Sequence, residues 1–173
     1  MKTAKRAARA RVHARPAKNR RRPFRLRLEL AIQFATASRT VPSASAFRRW
    51  VRAALDADAR VTVRLVGLAE GRRLNRAYRG KDYATNVLTF VLNERPPYEG
   101  DLVLCAPVVS REAREQGKKL AAHYAHLTVH GVLHLQGHDH ENRRQAAAME
   151  KLETRILGGL GLTDPYAPPA HHG

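Results

Sequence analysis

Residues 130–140 read HGVLHLQGHDH, four histidines and one aspartate in eleven residues. His130 and His134 stand four apart, so on a helix their rings share one face with β-carbons about 6 Å apart, a spacing that suits two ligands of one metal ion. Gly137 permits a turn that a residue with a β-carbon would resist. The chain can then double back, and His140 supplies a third imidazole nitrogen. Three protein ligands leave one tetrahedral position for water, as in catalytic zinc sites, whereas structural zinc is usually closed by four ligands rich in cysteine. The single cysteine, Cys105, is not near in sequence. Asp139 either accepts an N–H from a ligand ring and fixes its tautomer or begins the last helix as an N-cap. His138 is equally open, while His123 and His126 fit better as hydrogen-bonded core residues.

The pattern HxxxHxxGxxH resembles the helix and turn of metzincin peptidases, HExxHxxGxxH. Gly131 stands where those enzymes carry their glutamate base, so the peptidase proton shuttle is missing. Zinc on three histidines can still lower the pKa of its water to about 7 and polarise an oxygen. A peptidase is therefore not the expectation. Three imidazoles would also accept nickel, cobalt or copper.

The elements that must position these residues are legible as hydrophobic patterns. RLRLELAIQF alternates and then turns apolar, which predicts a strand over about 25–36. Ser43 and Ser45 offer N-cap oxygens to a helix with Phe47, Trp50, Val51, Ala54 and Leu55 at helical spacing. RVTVRLVG is a second strand, followed by a helix whose stripe, Leu68, Leu74, Ala77 and Tyr78, ends at Gly80. NVLTFVLN and GDLVLCA, separated by ERPPYE, are two further strands and a possible hairpin. PVVSREAREQGKKL opens a helix on a proline and breaks at Gly117. The apolar helix AAHYAHLTVHGVLHLQ follows, and a last amphipathic helix carries Met149, Leu152, Ile156 and Leu157 and closes at Gly158 and Gly159. Strands followed by helices predict an α+β fold.

At 173 residues and 43% hydrophobic, the chain suits one domain with a substantial core. No apolar run approaches the roughly 20 residues of a membrane span, and Cys105, inside DLVLCA, reads as a small buried hydrophobe. Lys and Arg number 32 against 15 acids, a formal charge of +17. Residues 1–27 hold 12 of those bases and no acid. MKTAKRAARARVHARPAKNRRRPFR has no apolar h-region of a secretory signal. It resembles an organelle transit peptide in being Arg-rich and acid-free, but it has no serine and its RRR cluster suits a polyanion-binding arm better. Such an arm gains affinity for phosphate backbones through counterion release, without reading sequence. The expected division is a disordered basic arm over 1–24, a hydrolase domain over 25–166 and a mobile tail over 167–173.

HGVLHLQGHDH is also similar to the signature of the YbeY family of zinc-dependent, single-strand-specific endoribonucleases of ribosomal RNA maturation and quality control. LNRAYRGKDYATNVLTF at 74–90, GDLVLCAPVV at 100–109 and the closing GLGLTDPY resemble further blocks of that family, together spanning about residues 60–166. The resemblance implies an α+β domain with a mixed four-stranded sheet packed with helices and a zincin-like metal helix and turn. It implies one zinc ion on His130, His134 and His140, a functional arginine at Arg79, ribosomal RNA and ribosomal particles as partners, and a cytoplasmic location without membrane association. A guanidinium beside a metal can hold a scissile phosphate and stabilise charge on its oxygens. The second block departs from the family pattern at Asn86, where aspartate is common, and at Thr89 and Val91, where serine and proline are common. The alternative is a non-catalytic, zinc-stabilised ribosome-assembly protein that binds RNA. A zinc hydrolase of small molecules or peptides would leave the basic balance unexplained.

Overall fold

The computed structural model describes residues 25–168. The arm expected over 1–24, and residues 169–173 of the expected tail, lie outside the described residues. Strand β1 (Leu28–Ala35) turns Leu28, Leu30 and Ile32 toward the core and Glu29 and Gln33 to solvent. Helix α1 (Ala44–Ala54) follows, capped by Ser43, whose Oγ accepts from the Ala46 N–H at 3.3 Å. It buries Phe47, Trp50, Val51 and Ala54, as their spacing predicts. Strand β2 (Ala59–Val66), helix α2 (Leu68–Arg79), strands β3 (Val87–Asn93) and β4 (Tyr98–Cys105), and helices α3 (Ala106–Glu115), α4 (Leu120–Leu135) and α5 (Arg143–Gly159) complete the order.

The four strands form one sheet in the order β1-β2-β4-β3. The pairs β1/β2 and β2/β4 are parallel, and β3 returns antiparallel to β4 as the hairpin that ERPPYE suggested. The sheet is therefore mixed, and the α+β expectation holds. Period-two alternation divides its faces. Val61, Val63, Leu65, Leu102 and Leu104 join Phe47, Tyr124 and Leu133 in the large core cluster. Val66, Val103 and Cys105 join Leu88 and Val108 in a smaller one on the other side. Cys105 is 1% exposed, a buried hydrophobe.

One helix differs from its sequence pattern. In α2 the stripe Leu68, Leu74, Ala77, Tyr78 is not the buried face: Gly71 and Asn75 are buried, while Leu68 and Tyr78 are 53% and 67% exposed. The reason is close approach, since a β-carbon on Gly71 would stand 3.1 Å from Cys105 Sγ. Helix α5 closes at Gly159, as its pattern predicts, and the chain turns away at Gly161, with φ +76°.

Helix α4 is the central element. Between residues 123 and 135 every position is buried except His126, His130 and His134, a single stripe with a spacing of four. Tight packing on the β3–β4 hairpin accounts for that burial. A β-carbon on Gly131 would lie 2.7 Å from Leu102 Cδ2, and one on Gly100 of β4 would lie 2.3 Å from Leu135 Cδ2 and 2.4 Å from the Phe90 carbonyl oxygen. Gly131 thus marks where α4 presses on the sheet, with no room for a glutamate.

Candidate metal centre

Helix α4 ends in a Schellman motif, with the Gly137 N–H bonded to His134 O at 3.0 Å and the His138 N–H to Leu133 O at 3.1 Å. Gly137 sits at φ +85°, in the left-handed region that glycine enters without a side-chain penalty. The turn carries His140 back toward the helix. Its ring centroid lies 5.5 Å from that of His130 and 4.9 Å from that of His134. The Nε2 atoms of His130 and His134 are 3.0 Å apart, and one ring nitrogen from each of the three histidines falls within 4.8 Å of the others. Nitrogens bound about 2.0–2.1 Å from one ion lie at most about 4.2 Å apart. The half-buried pair meets that bound, and the exposed His140 offers a nitrogen within 4.8 Å of both.

The donor set has a support that spacing did not reveal. Glu153 of α5 is fully buried. Its Oε1 accepts from His130 Nδ1, and its Oε2 accepts from His126 Nε2 at 3.1 Å and from the Tyr166 hydroxyl. Burial alone would raise the Glu153 pKa, but the hydrogen bonds from His126, His130 and Tyr166 more than offset it and bring it down to about 2. An ionised carboxylate only accepts, so His130 carries its proton on Nδ1 and its Nε2 lone pair faces His134. His134 is itself held below the usual imidazole pKa by burial and by His130 and His140. Neutral nitrogens with converging lone pairs are what a borderline divalent ion requires, and the residues present fit one.

His123 and His126 are hydrogen-bonded as expected, His123 Nε2 to Glu112 at 2.8 Å. Neither role foreseen for Asp139 is taken up. Its Oδ1 accepts the His140 backbone N–H at 2.7 Å, and the cap of α5 is Asn142, whose side chain accepts from Gln145 N at 2.9 Å. His138 is exposed on the same turn.

Across from the histidines, the end of α2 presents Arg79. The loop that follows is held by a bidentate pair between Arg72 and Asp82, both contacts 2.8 Å, and by Asn75 Nδ2 donating to Tyr83 O at 2.7 Å. Arg79 is exposed and has no ion pair among the described residues. It lines, with Tyr78, residues 85–92 and the three histidines, a cleft of about 680 Å³. None of the lining residues is acidic. Asn86 donates to Glu112 at 3.1 Å, which an ionised aspartate could not do.

The three-histidine group could hold a metal ion, and it borders a cleft with no acidic lining residue, the setting of a hydrolase site. The profile of the family described as Endoribonuclease YbeY matches residues 31–161. Proteins called endoribonuclease YbeY are similar over most of their length: that of Aromatoleum aromaticum is 62% identical over 144 residues, 82% of this chain and 94% of the relative. That of Methylibium petroleiphilum is 59% identical over 148 residues, 85% and 99% of the two chains. A Thermotoga maritima protein of known solution structure superposes with a TM-score of 0.50 at 26% identity, covering 80% of this chain and 99% of its own. The chain belongs to the YbeY endoribonuclease family.

Proposed function

We propose that the protein is a single-strand-specific endoribonuclease acting in ribosomal RNA maturation and ribosome quality control, with one zinc ion held by His130, His134 and His140. The observation that carries this reading is the cluster of three ring nitrogens within 4.8 Å, with the Nε2 lone pair of His130 directed by Glu153. When bound, the ion supplies Lewis acidity and a water of pKa about 7. The chain does the rest. Glu153 keeps the proton of His130 on the nitrogen away from the cleft. Arg79 orients a phosphodiester with its planar fork of donors and stabilises charge growing on the phosphoryl oxygens. The acid-free lining of the cleft avoids repelling a polyanion.

Residues 1–24 act in this reading as a basic arm that gathers RNA without selecting sequence. The reading places the enzyme in the cytoplasm, working on ribosomal particles; no helix among the described residues is long and apolar enough to cross a membrane. Purified protein with its metal, offered single-stranded and duplex RNA, tests the proposal against a non-catalytic assembly role. Metal-dependent cleavage of the single strand that is lost in His134→Ala and Arg79→Glu supports it. Cleavage by both variants at the parent rate refutes it.

A further inference from the structure

Tyr78 is an apolar-stripe residue that the fold leaves outside. Its ring is 67% exposed, yet it is anchored, packing edge to face with Phe90 of β3 at 4.6 Å between centroids and 66° between planes. Phe90 in turn packs on the smaller core cluster. Tyr78 precedes Arg79, and both line the cleft that holds the three histidines. That cleft, about 680 Å³, falls within the roughly 300–1,000 Å³ typical of sites for whole organic ligands. A metal ion and one phosphate group would leave much of it empty.

We propose that Tyr78 is a stacking platform for an unpaired RNA base adjoining the phosphate that Arg79 holds. The inference rests on reading the cleft as an RNA hydrolase site and adds the subsite that selects single strands. A base inside a duplex has both faces covered by its neighbours, whereas an unpaired base can lay one face on an aromatic ring. Stacking tolerates any base, because every base has a π-face. The Tyr78 ring is already held by Phe90, so little side-chain freedom is lost when a base docks. The hydroxyl has no part in such a contact, which separates this role from hydrogen-bonded recognition.

Steady-state cleavage of a short single-stranded RNA by the zinc-loaded full chain tests it, using a substrate series in which one nucleotide at a time is replaced by an abasic ribose. Tyr78→Ala raises KM roughly ten- to a hundredfold, the range of one lost base stack, and Tyr78→Phe recovers the parent affinity. Tyr78→Leu keeps apolar cover over Phe90 without a π-face and behaves like the alanine variant. One abasic position beside the cut weakens the parent by a similar factor and leaves Tyr78→Ala indifferent. Parent-like KM in both Tyr78→Ala and Tyr78→Leu, or an abasic penalty equal in parent and Tyr78→Ala, overturns the stacking role while the enzyme remains an RNA hydrolase. A parent that cleaves no RNA overturns the functional reading and this inference together.

Discussion

Glu153 is the residue on which the proposed metal centre should depend most. A buried carboxylate that fixes a ligand's tautomer typically changes metal affinity by 10–100-fold when it is removed. In Glu153→Gln the amide can accept from His130 only by turning its NH₂ group toward the donors His126 and Tyr166. Zinc affinity, read by competition with a chromophoric chelator, should fall by about that factor, with His126→Gln falling less; an unchanged affinity in Glu153→Gln would show that His130 needs no support. The three histidines were legible because spacing along a helix and one glycine determine where their rings go. Glu153 was hidden among Met149, Leu152, Ile156 and Leu157, the apolar stripe of α5. A charged residue on that stripe was the available signal, since a buried carboxylate must have partners. Tyr78 failed in the opposite direction: periodicity assigned it to the core, but the close seat of Gly71 on Cys105 rotates α2 onto a different face.

At the scale of elements, hydrophobic periodicity located all four strands and five helices, and the short ERPPYE connection suggested the β3–β4 pair, but the other neighbours were not legible. Alternation says which side of a strand is wet and nothing about whether β2 lies beside β1, β3 or β4. The order β1-β2-β4-β3 sets β3 on the edge, and so makes its residues a wall of the cleft. A polar link between elements was equally invisible: Asn86, before β3, donates to Glu112 of α3, which accepts from His123 of α4. This link makes stability pH-dependent. Burial lowers the His123 pKa, Glu112 partly opposes the shift, and Lys118 and His126 add to it. The unfolded chain, with His123 near 6.5, binds a proton that the folded state resists. Stability contributed by neutral His123 is therefore present above about pH 6.5 and is lost as pH falls below it. Urea midpoints of the metal-free protein should drop across that window, with a shallower drop in His123→Gln; identical profiles for the two proteins would remove His123 as the cause.

For the whole molecule, the charge is unevenly spread along the chain. Of the 32 bases, residues 1–27 carry 12, and the rest of the chain holds 20 against 15 acids. Affinity for single-stranded RNA should fall steeply with salt, with a log–log slope near −0.7 per phosphate neutralised. Removing residues 1–24 should flatten that slope and weaken binding alike for all sequences, while turnover at saturating RNA is kept; a truncated chain with the parent's slope would assign the binding to the domain alone. The most direct measurement is cleavage of a single-stranded RNA by protein stripped of metal and then titrated with zinc. Stripping should cost about a hundredfold or more in rate, one equivalent of zinc should restore it, and His134→Ala should stay inactive at that dose. Stripped protein cutting as fast as loaded protein, or His134→Ala recovering alongside the parent, would mean that the three histidines are not the site of catalysis.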